Sequence, residues 1–238
     1  MKKSFVKVLF SGMVLLALSL AFSACHKLSP EEIEKQTNLL FDAIGDNDAE
    51  KIKLCLKSGA DINRNKDGSG TPLIYAVKNI RVKRETAELL LSLKADVNGK
   101  DSLGMSAIHH AVPRGEAFID MLVKAGADIN AKDKMGRTPL VFANNPSMYS
   151  TNFCINNAKV LLARGADINA TDDAGYSVLM SALKNRTTES EYISFLISSG
   201  AKLDIVAQDG STALSIVKDD WLGIRYDILT LLQAWGAK

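Results

Sequence analysis

Apolar and polar residues along this chain of 238 residues form blocks that repeat from one end of it to the other. Six short apolar clusters recur, at 52–56, 89–91, 121–123, 160–162, 195–197 and 229–232. Three or four residues after each cluster comes a Gly or, in one case, a Lys. Glycine is the natural left-handed stop of a helix. The pattern therefore predicts one helix of the same kind in every block.

Two phrases repeat in step with these clusters. Gly-Ala-Asp-Ile-Asn occurs at 59–63, 126–130 and 165–169, and variants of it begin at Lys94, Gly200 and Gly236. The starts are separated by 35, 32, 39, 35 and 36 residues. A second phrase, Thr-Pro-Leu or a relative of it, begins at 71, 106, 138, 177 and 212. A period near 33 residues is typical of a solenoid built from stacked units.

The two phrases together resemble the ankyrin repeat, whose unit is a turn followed by two helices. The resemblance covers residues 31–238 and implies an all-α repeat solenoid of about six ankyrin repeats, each a helix-turn-helix with a hairpin finger. The first repeat, from about Asn38 to Asn63, lacks the Thr-Pro pair, and the last stops at Gly236 to Lys238. We interpret these two degenerate repeats as caps, which a solenoid needs to cover its terminal apolar faces.

The first 24 residues have the architecture of a secretory signal: a basic start, an apolar stretch from Val8 to Phe22 and small residues before Cys25. The apolar stretch is too short for a comfortable membrane span. Its end resembles a bacterial lipoprotein signal, which implies that Cys25 is lipidated and becomes the first mature residue. Phe22 departs from that pattern, because Leu is usual there. A plain cleaved signal, with Cys25 as a bystander, is the alternative.

Residues 25–30 are then a lipidated Cys and a short tether. His26 favours the outer membrane over the inner one under the sorting rule of lipoproteins, so we expect a lipid-anchored protein on the periplasmic side of the outer membrane. Ser29-Pro30-Glu31-Glu32 predicts a helix start, with Ser as N-cap and Glu three residues later. The folded part would therefore lie close to the membrane surface.

Charge and composition narrow the range of functions. Apolar residues make up 47% and charged residues 24%, as in ordinary globular proteins. The formal net charge is +2, but without the first 24 residues it is −1, from 26 basic and 27 acidic residues. Such a near-neutral body lacks the basic footprint of a nucleic-acid-binding protein.

Catalytic and metal-binding residues are hard to assemble from this sequence. The resemblance assigns His109 a structural role between repeats, and the Gly-rich stretch 67–71 lacks the Gly-Lys-Ser/Thr ending of a phosphate loop. Cys55 and Cys154 lie three repeats apart, too far for a disulfide. We therefore predict a non-enzyme without cofactor, metal or small-molecule substrate. A hydrolase that uses Asp172, Asp173 and Asp209 is the alternative, and turn carboxylates are the simpler interpretation of these three.

The resemblance implies that the finger tips and the inner helices bind a protein partner. We predict that Leu103, Met105, Lys134, Met135, Arg137, Asp173 and Tyr176 of the middle fingers contact it. Met, Tyr and Arg are enriched in interfaces. Arg114, with Lys78, Asn79, Lys184 and Asn185, would supply a polar rim. Some tip residues could instead fold back onto their own hairpins. An inhibitor or immunity protein that blocks a toxin or envelope enzyme is an alternative function, and the insertion at 144–153 is either functional or merely tolerated.

Overall fold

The computed structural model describes residues 28–237 except 67, 69, 146–147 and 219–224. The predicted leader, Cys25 and the first tether residues lie outside this part of the chain. The described residues form a stack of helix pairs, and their only strand-like pairings are two isolated bridges, Lys100 with Ser106 and Thr171 with Ser177. The prediction of an all-α repeat solenoid is confirmed.

Each repeat contributes an inner and an outer helix. In repeats two to six the inner helix follows the Thr-Pro-Leu phrase or its relative, and in every repeat the outer helix precedes the Gly-Ala-Asp-Ile-Asn phrase or its variant. The α-helices, numbered in chain order, are α1 Pro30–Gly45, α2 Ala49–Lys57, α3 Pro72–Lys78, α4 Arg84–Ser92, α5 Ala107–Ala111, α6 Glu116–Lys124, α7 Thr151–Ala163, α8 Val178–Lys184, α9 Ser190–Ser198, α10 Ala213–Lys218 and α11 Tyr226–Ala234. Two 3-10 helices, Val112–Arg114 and Pro139–Ala143, complete repeats three and four.

Short polar side chains begin many of these helices. Ser29 forms the predicted capping box with Glu32 at the start of α1, and Pro30 occupies the first turn. Thr71 and Ser177 cap α3 and α8 by accepting a backbone N–H three residues ahead. Such a bond satisfies one of the donors that every helix start leaves free.

The Thr138 phrase behaves differently from the identical phrase at Thr71. Its side chain makes no cap bond, and Pro139–Ala143 forms a 3-10 helix instead of the expected α-helix. The helical segment is only five residues long, because Asn144 leaves the helical conformation as the chain enters the insertion. Short helical pieces commonly adopt 3-10 geometry.

A single apolar cluster extends from Leu40 in α1 to Leu232 in α11. Small side chains let the inner helices approach each other closely: Ala76, Ala111, Ala143 and Ala182 are all buried. Cys55 and Cys154 are buried free thiols, and Cys154 lies inside α7. Within the described residues, no helix is long and apolar enough to cross a membrane.

The asparagine that ends the Gly-Ala-Asp-Ile-Asn phrase connects each repeat to the next. The side-chain oxygens of Asn63, Asn98, Asn130 and Asn169 accept the backbone N–H of Asp96, Asp128, Asp167 and Lys202 at 2.8–3.0 Å. The amide groups of Asn98, Asn130 and Asn169 also donate to the carbonyls of Gly126, Gly165 and Gly200. We call this series the asparagine ladder, and it fixes the spacing of the fingers.

Candidate protein-interaction face

The finger tips are rigid turns organised by aspartate. One oxygen of Asp101 accepts the backbone N–H groups of Leu103 and Met105, both at 2.9 Å. Asp133 and Asp172 hold the next two fingers in the same way. Backbone bonds then link successive tips: Lys134 N–H donates to Leu103 O, and Asp173 N–H to Met135 O, each at 2.9 Å. The tips therefore form one continuous, ordered edge of the solenoid.

A glycine in each tip separates two kinds of side chain. The residue before the glycine occupies the tip position and points outward: Leu103 and Met135 are 60% and 62% exposed. The residue after the glycine occupies the inner position and turns towards the inner helices. The predicted exposure of Leu103 and Met135 is therefore confirmed. Lys134 and Asp173, one residue ahead of the tip position, are exposed as well.

Met105 does not belong to the exposed set. It occupies the inner position and is buried, with only 8% of its surface exposed. The prediction that Met105 is displayed on the surface of its finger is wrong. The reason is its place after Gly104, because the backbone reverses there with a φ of 76° and directs the next side chain inward.

Arg137 also occupies the inner position, where its guanidinium is already engaged. It donates to Asp133 through Nε at 2.8 Å and Nη2 at 2.7 Å, and it covers the ring of Phe142 at 4.9 Å. Burial would raise the pKa of Asp133, but the bonds and charge of Arg137 outweigh that effect and keep this pKa below its ordinary value. Arg137 therefore organises its own repeat and presents one edge to solvent.

Tyr176 connects the fifth and sixth repeats at the same inner position. Its hydroxyl donates to the carboxylate of Asp209, and the ammonium of Lys184 lies 3.7 Å from the centre of its ring. The bond from Tyr176 lowers the pKa of Asp209 to about 2. The tyrosine is half-buried, so part of its ring faces outward between two repeats.

Two histidines serve structural roles on this face. His109 accepts the backbone N–H of Ser106 through Nδ1 at 3.1 Å, so Nε2 carries the proton that bonds Arg137 O at 3.3 Å in the next repeat. Burial lowers the pKa of His109 and favours this neutral form. The inter-repeat role expected of His109 is confirmed. His110, which the sequence left without a role, bonds the second oxygen of Asp101 at 2.9 Å.

Arg114 is not a rim residue that is free to bind a partner. Its guanidinium reaches back to the preceding repeat and donates to the carbonyls of Val77, Asn79 and Val82 at 2.7–3.0 Å, while Phe118 covers it at 3.9 Å. The predicted role in the rim is wrong, because these bonds leave the side chain committed to the inter-helix loop 79–83. We call this arrangement an arginine clasp.

A second arginine clasp lies three repeats further along. Arg225 donates to the carbonyls of Leu183 and Thr188 and so holds the loop 185–189. On the opposite side of the two loops, Asn47 bonds the backbone of Arg81 and Lys83, and Asn144 bonds the hydroxyl of Thr188. Sequence reasoning missed both clasps, although the 35-residue spacing across each of these two repeats, against a period near 33, indicated extra residues in them.

The structure also separates the remaining rim candidates. Asn79 and Asn185 end α3 and α8, and their side chains bond the backbone of their own loops. Lys78 and Lys184, the last residues of these two helices, are exposed. In the described part of the chain neither ammonium has a carboxylate oxygen within 4.0 Å. These two lysines are thus available to a ligand.

Two of the three aspartates of the hydrolase alternative make structural bonds on the fingers. Asp172 holds the turn of its own finger through two backbone bonds, and Asp209 is kept ionised by Tyr176. A general acid needs a raised pKa instead. Among the residues that the structure describes, no three His, Cys, Asp or Glu side chains converge as metal ligands would.

Comparison with known proteins defines the class. The family model for ankyrin repeats in three copies matches residues 5–101 and 82–172, more than half of the chain, so the protein belongs to the ankyrin-repeat family. Solved structures match as well. The crystal structure of an ankyrin repeat domain from Acinetobacter baumannii AYE, at 25% identity and a TM-score of 0.66, covers 84% of this chain and 98% of its own. The search of curated proteins found no match. Ankyrin repeats imply a protein–protein interaction module.

Proposed function

We propose that this protein is a lipid-anchored interaction module of the bacterial cell envelope, without catalytic activity, whose partner protein contacts the exposed finger tips. The observation that carries the proposal is the pair Leu103 and Met135. These two large apolar side chains lie on adjacent tips, and the bond from Lys134 N–H to Leu103 O joins the tips directly. Rigid, adjacent apolar groups at a surface are what a protein partner covers.

Charged and aromatic residues surround the two apolar tips. Lys134 and Asp173 offer one charge of each sign beside the two apolar tips, and the outward edges of Arg137 and Tyr176 border them on the inner side. Because the aspartates and the inter-tip bonds already order these turns, a partner would meet little entropic cost in binding them. We call Leu103, Lys134, Met135, Arg137, Asp173 and Tyr176 the tip surface.

The test is capture from the native envelope by crosslinking. Wild type is compared with a Leu103→Ser, Met135→Ser variant, and Leu54→Ser serves as the matched control, since Leu54 is 59% exposed on the outer helix α2. We expect one protein to be captured by wild type and by the control but lost by the double variant. Equal capture by all three would show that the tip surface is not the contact.

Anchoring rests on Cys25 and on the way the chain enters the fold. Leu28, three residues after Cys25, packs against Gly59 at the end of the first repeat, where a Cβ would lie 2.0 Å from its Cδ1. Three residues span about 10 Å at most, so an acyl anchor at Cys25 would hold the first repeat against the bilayer. Mass spectrometry of the mature protein and membrane fractionation of Cys25→Ser test this. A Cys25→Ser protein that stays with the membrane would contradict lipidation.

A further inference from the structure

The finger tips and inner helices share one surface that extends beyond the two apolar tips. Arg137 reaches from its finger to Phe142 of the inner helix, and Lys184 reaches from the inner helix to Tyr176 of its finger. Tyr75 and His110 occupy the positions in repeats two and three that correspond to Phe142 in repeat four, and each of the three is partly exposed, His110 least with 12% of its side chain. A row of ring side chains therefore runs along repeats two to five.

The carboxylates beside this row are largely satisfied. Asp101 is bound by His110, Asp133 by Arg137, and Asp209 by Tyr176. Of the five polar residues predicted along its rim, Asn79 and Asn185 bond the backbone of their own loops, and Arg114 bonds the carbonyls of the preceding repeat. Lys78 and Lys184 remain, and they mark the two ends of the row of rings.

The two lysines stand at equivalent places. Each is the last residue of a seven-residue inner helix, Lys78 in repeat two and Lys184 in repeat five. Neighbouring helices pack about 8–10 Å apart, so the two ammonium groups are separated by roughly 30 Å. An extended chain rises about 3.3 Å per residue, so about nine residues of an extended peptide would bridge them.

We propose that the ligand of this face is an extended acidic segment of the partner protein, with carboxylates that meet Lys78 and Lys184 and apolar or aromatic side chains between them. This proposal rests on the proposed function and adds the chemistry of the bound segment and the two lysines between which it extends. Lys184 is already held in place by Tyr176, so less of its side-chain freedom is lost on binding.

Defined peptides test the proposal without knowledge of the partner. Three labelled peptides of about twelve residues are long enough to bridge the lysines. All three contain leucine, and they differ at every third position, which is glutamate in the first, glutamine in the second and lysine in the third. Fluorescence anisotropy with the full folded array measures their affinities at low and at physiological ionic strength. We expect the glutamate peptide to bind about tenfold more tightly than the glutamine peptide, and the difference to shrink with salt.

The variant Lys78→Gln, Lys184→Gln should weaken the glutamate peptide about tenfold and leave the glutamine peptide unchanged. Its matched control is Lys57→Gln, Lys124→Gln, which removes the same charge from the last residues of two outer helices, both exposed. Equal weakening by the control, equal affinity for the three peptides, or no binding of the glutamate peptide would overturn the proposal. Envelope capture that depends on Leu103 and Met135 but not on the lysines would overturn it while leaving the interaction module intact.

Discussion

Replacement of Arg114 separates a role in stability from a role in binding. Its guanidinium donates three hydrogen bonds to carbonyls of repeat two and packs on Phe118. The change Arg114→Ala removes all of these contacts at once and leaves the loop 79–83 without its main support. We therefore expect the whole array to lose stability, with little effect on the tip surface.

The magnitude follows from the number and type of bonds. A hydrogen bond from a charged donor contributes about 1.5–3 kcal/mol when it is well shielded. Here the guanidinium is half-exposed, so water replaces part of what is lost, and we expect a net loss of about 2–4 kcal/mol. Arg114→Lys should recover less than half of it, because an ammonium cannot reproduce the planar fork that serves three carbonyls.

Urea unfolding followed by circular dichroism measures this loss, with Lys124→Ala as control, since Lys124 is exposed on the adjacent outer helix. Binding of the captured partner is measured in the same samples under conditions where each variant is folded. A destabilisation below about 0.5 kcal/mol, the range of ordinary surface substitutions, would refute the structural role. Loss of the partner by a fully stable Arg114→Ala protein would restore Arg114 to the interface.

Three further predictions concern the scaffold. Asn130→Ala should cost about 1–2 kcal/mol in urea unfolding, because it removes one rung of the asparagine ladder; no change would show that the rung is solvent-compensated. Gly136→Ala should lower the free energy of unfolding by several kcal/mol, and by more than Gly126→Ala does. Both glycines have a positive φ, which costs an alanine about 1–2 kcal/mol. Only at Gly136 would the added Cβ also clash, at 2.3 Å from the carboxylate of Asp173. Finally, burial lowers the pKa of His109, so the unfolded chain binds more protons than the folded one as the pH drops through 6.5. The free energy of unfolding should therefore decrease as the pH is lowered from 7.5 to 5.5. Burial lowers the pKa of His110 as well, so His109→Gln should reduce that slope without abolishing it, and an unchanged slope would contradict the assignment.

The repeat unit could be predicted from the sequence because its signals are local. A glycine that ends a helix, a Thr or Ser that begins one and a small residue at a helix contact each act through their own neighbours in the chain. This is why the helix pairs and the capping box at Ser29 were predictable. The glycine rule of the tips was also available in principle, since Met105 follows its glycine and Met135 precedes its own.

Other features depend on atoms that are far apart in the chain. Arg114 and the carbonyl of Val77 are separated by 37 residues. The position of an arginine within its repeat does not show in which direction its long side chain extends. The same is true of Thr138, whose phrase matches Thr71 but is followed by an insertion that shortens the helix. Local patterns thus predicted the elements, whereas the commitments of long polar side chains required the assembled structure.

The asparagine ladder contacts only main-chain atoms of the following repeat. Its rungs bond backbone N–H and carbonyl groups, which every residue type except proline provides, so these bonds do not depend on the identity of the side chains at Leu103 and Met135. Leu103 or Met135 can therefore be exchanged without disturbing the frame that presents them. An array of this kind can acquire a new binding partner through substitutions at exposed tips such as Leu103 and Met135, because the bonds of the ladder do not involve these side chains.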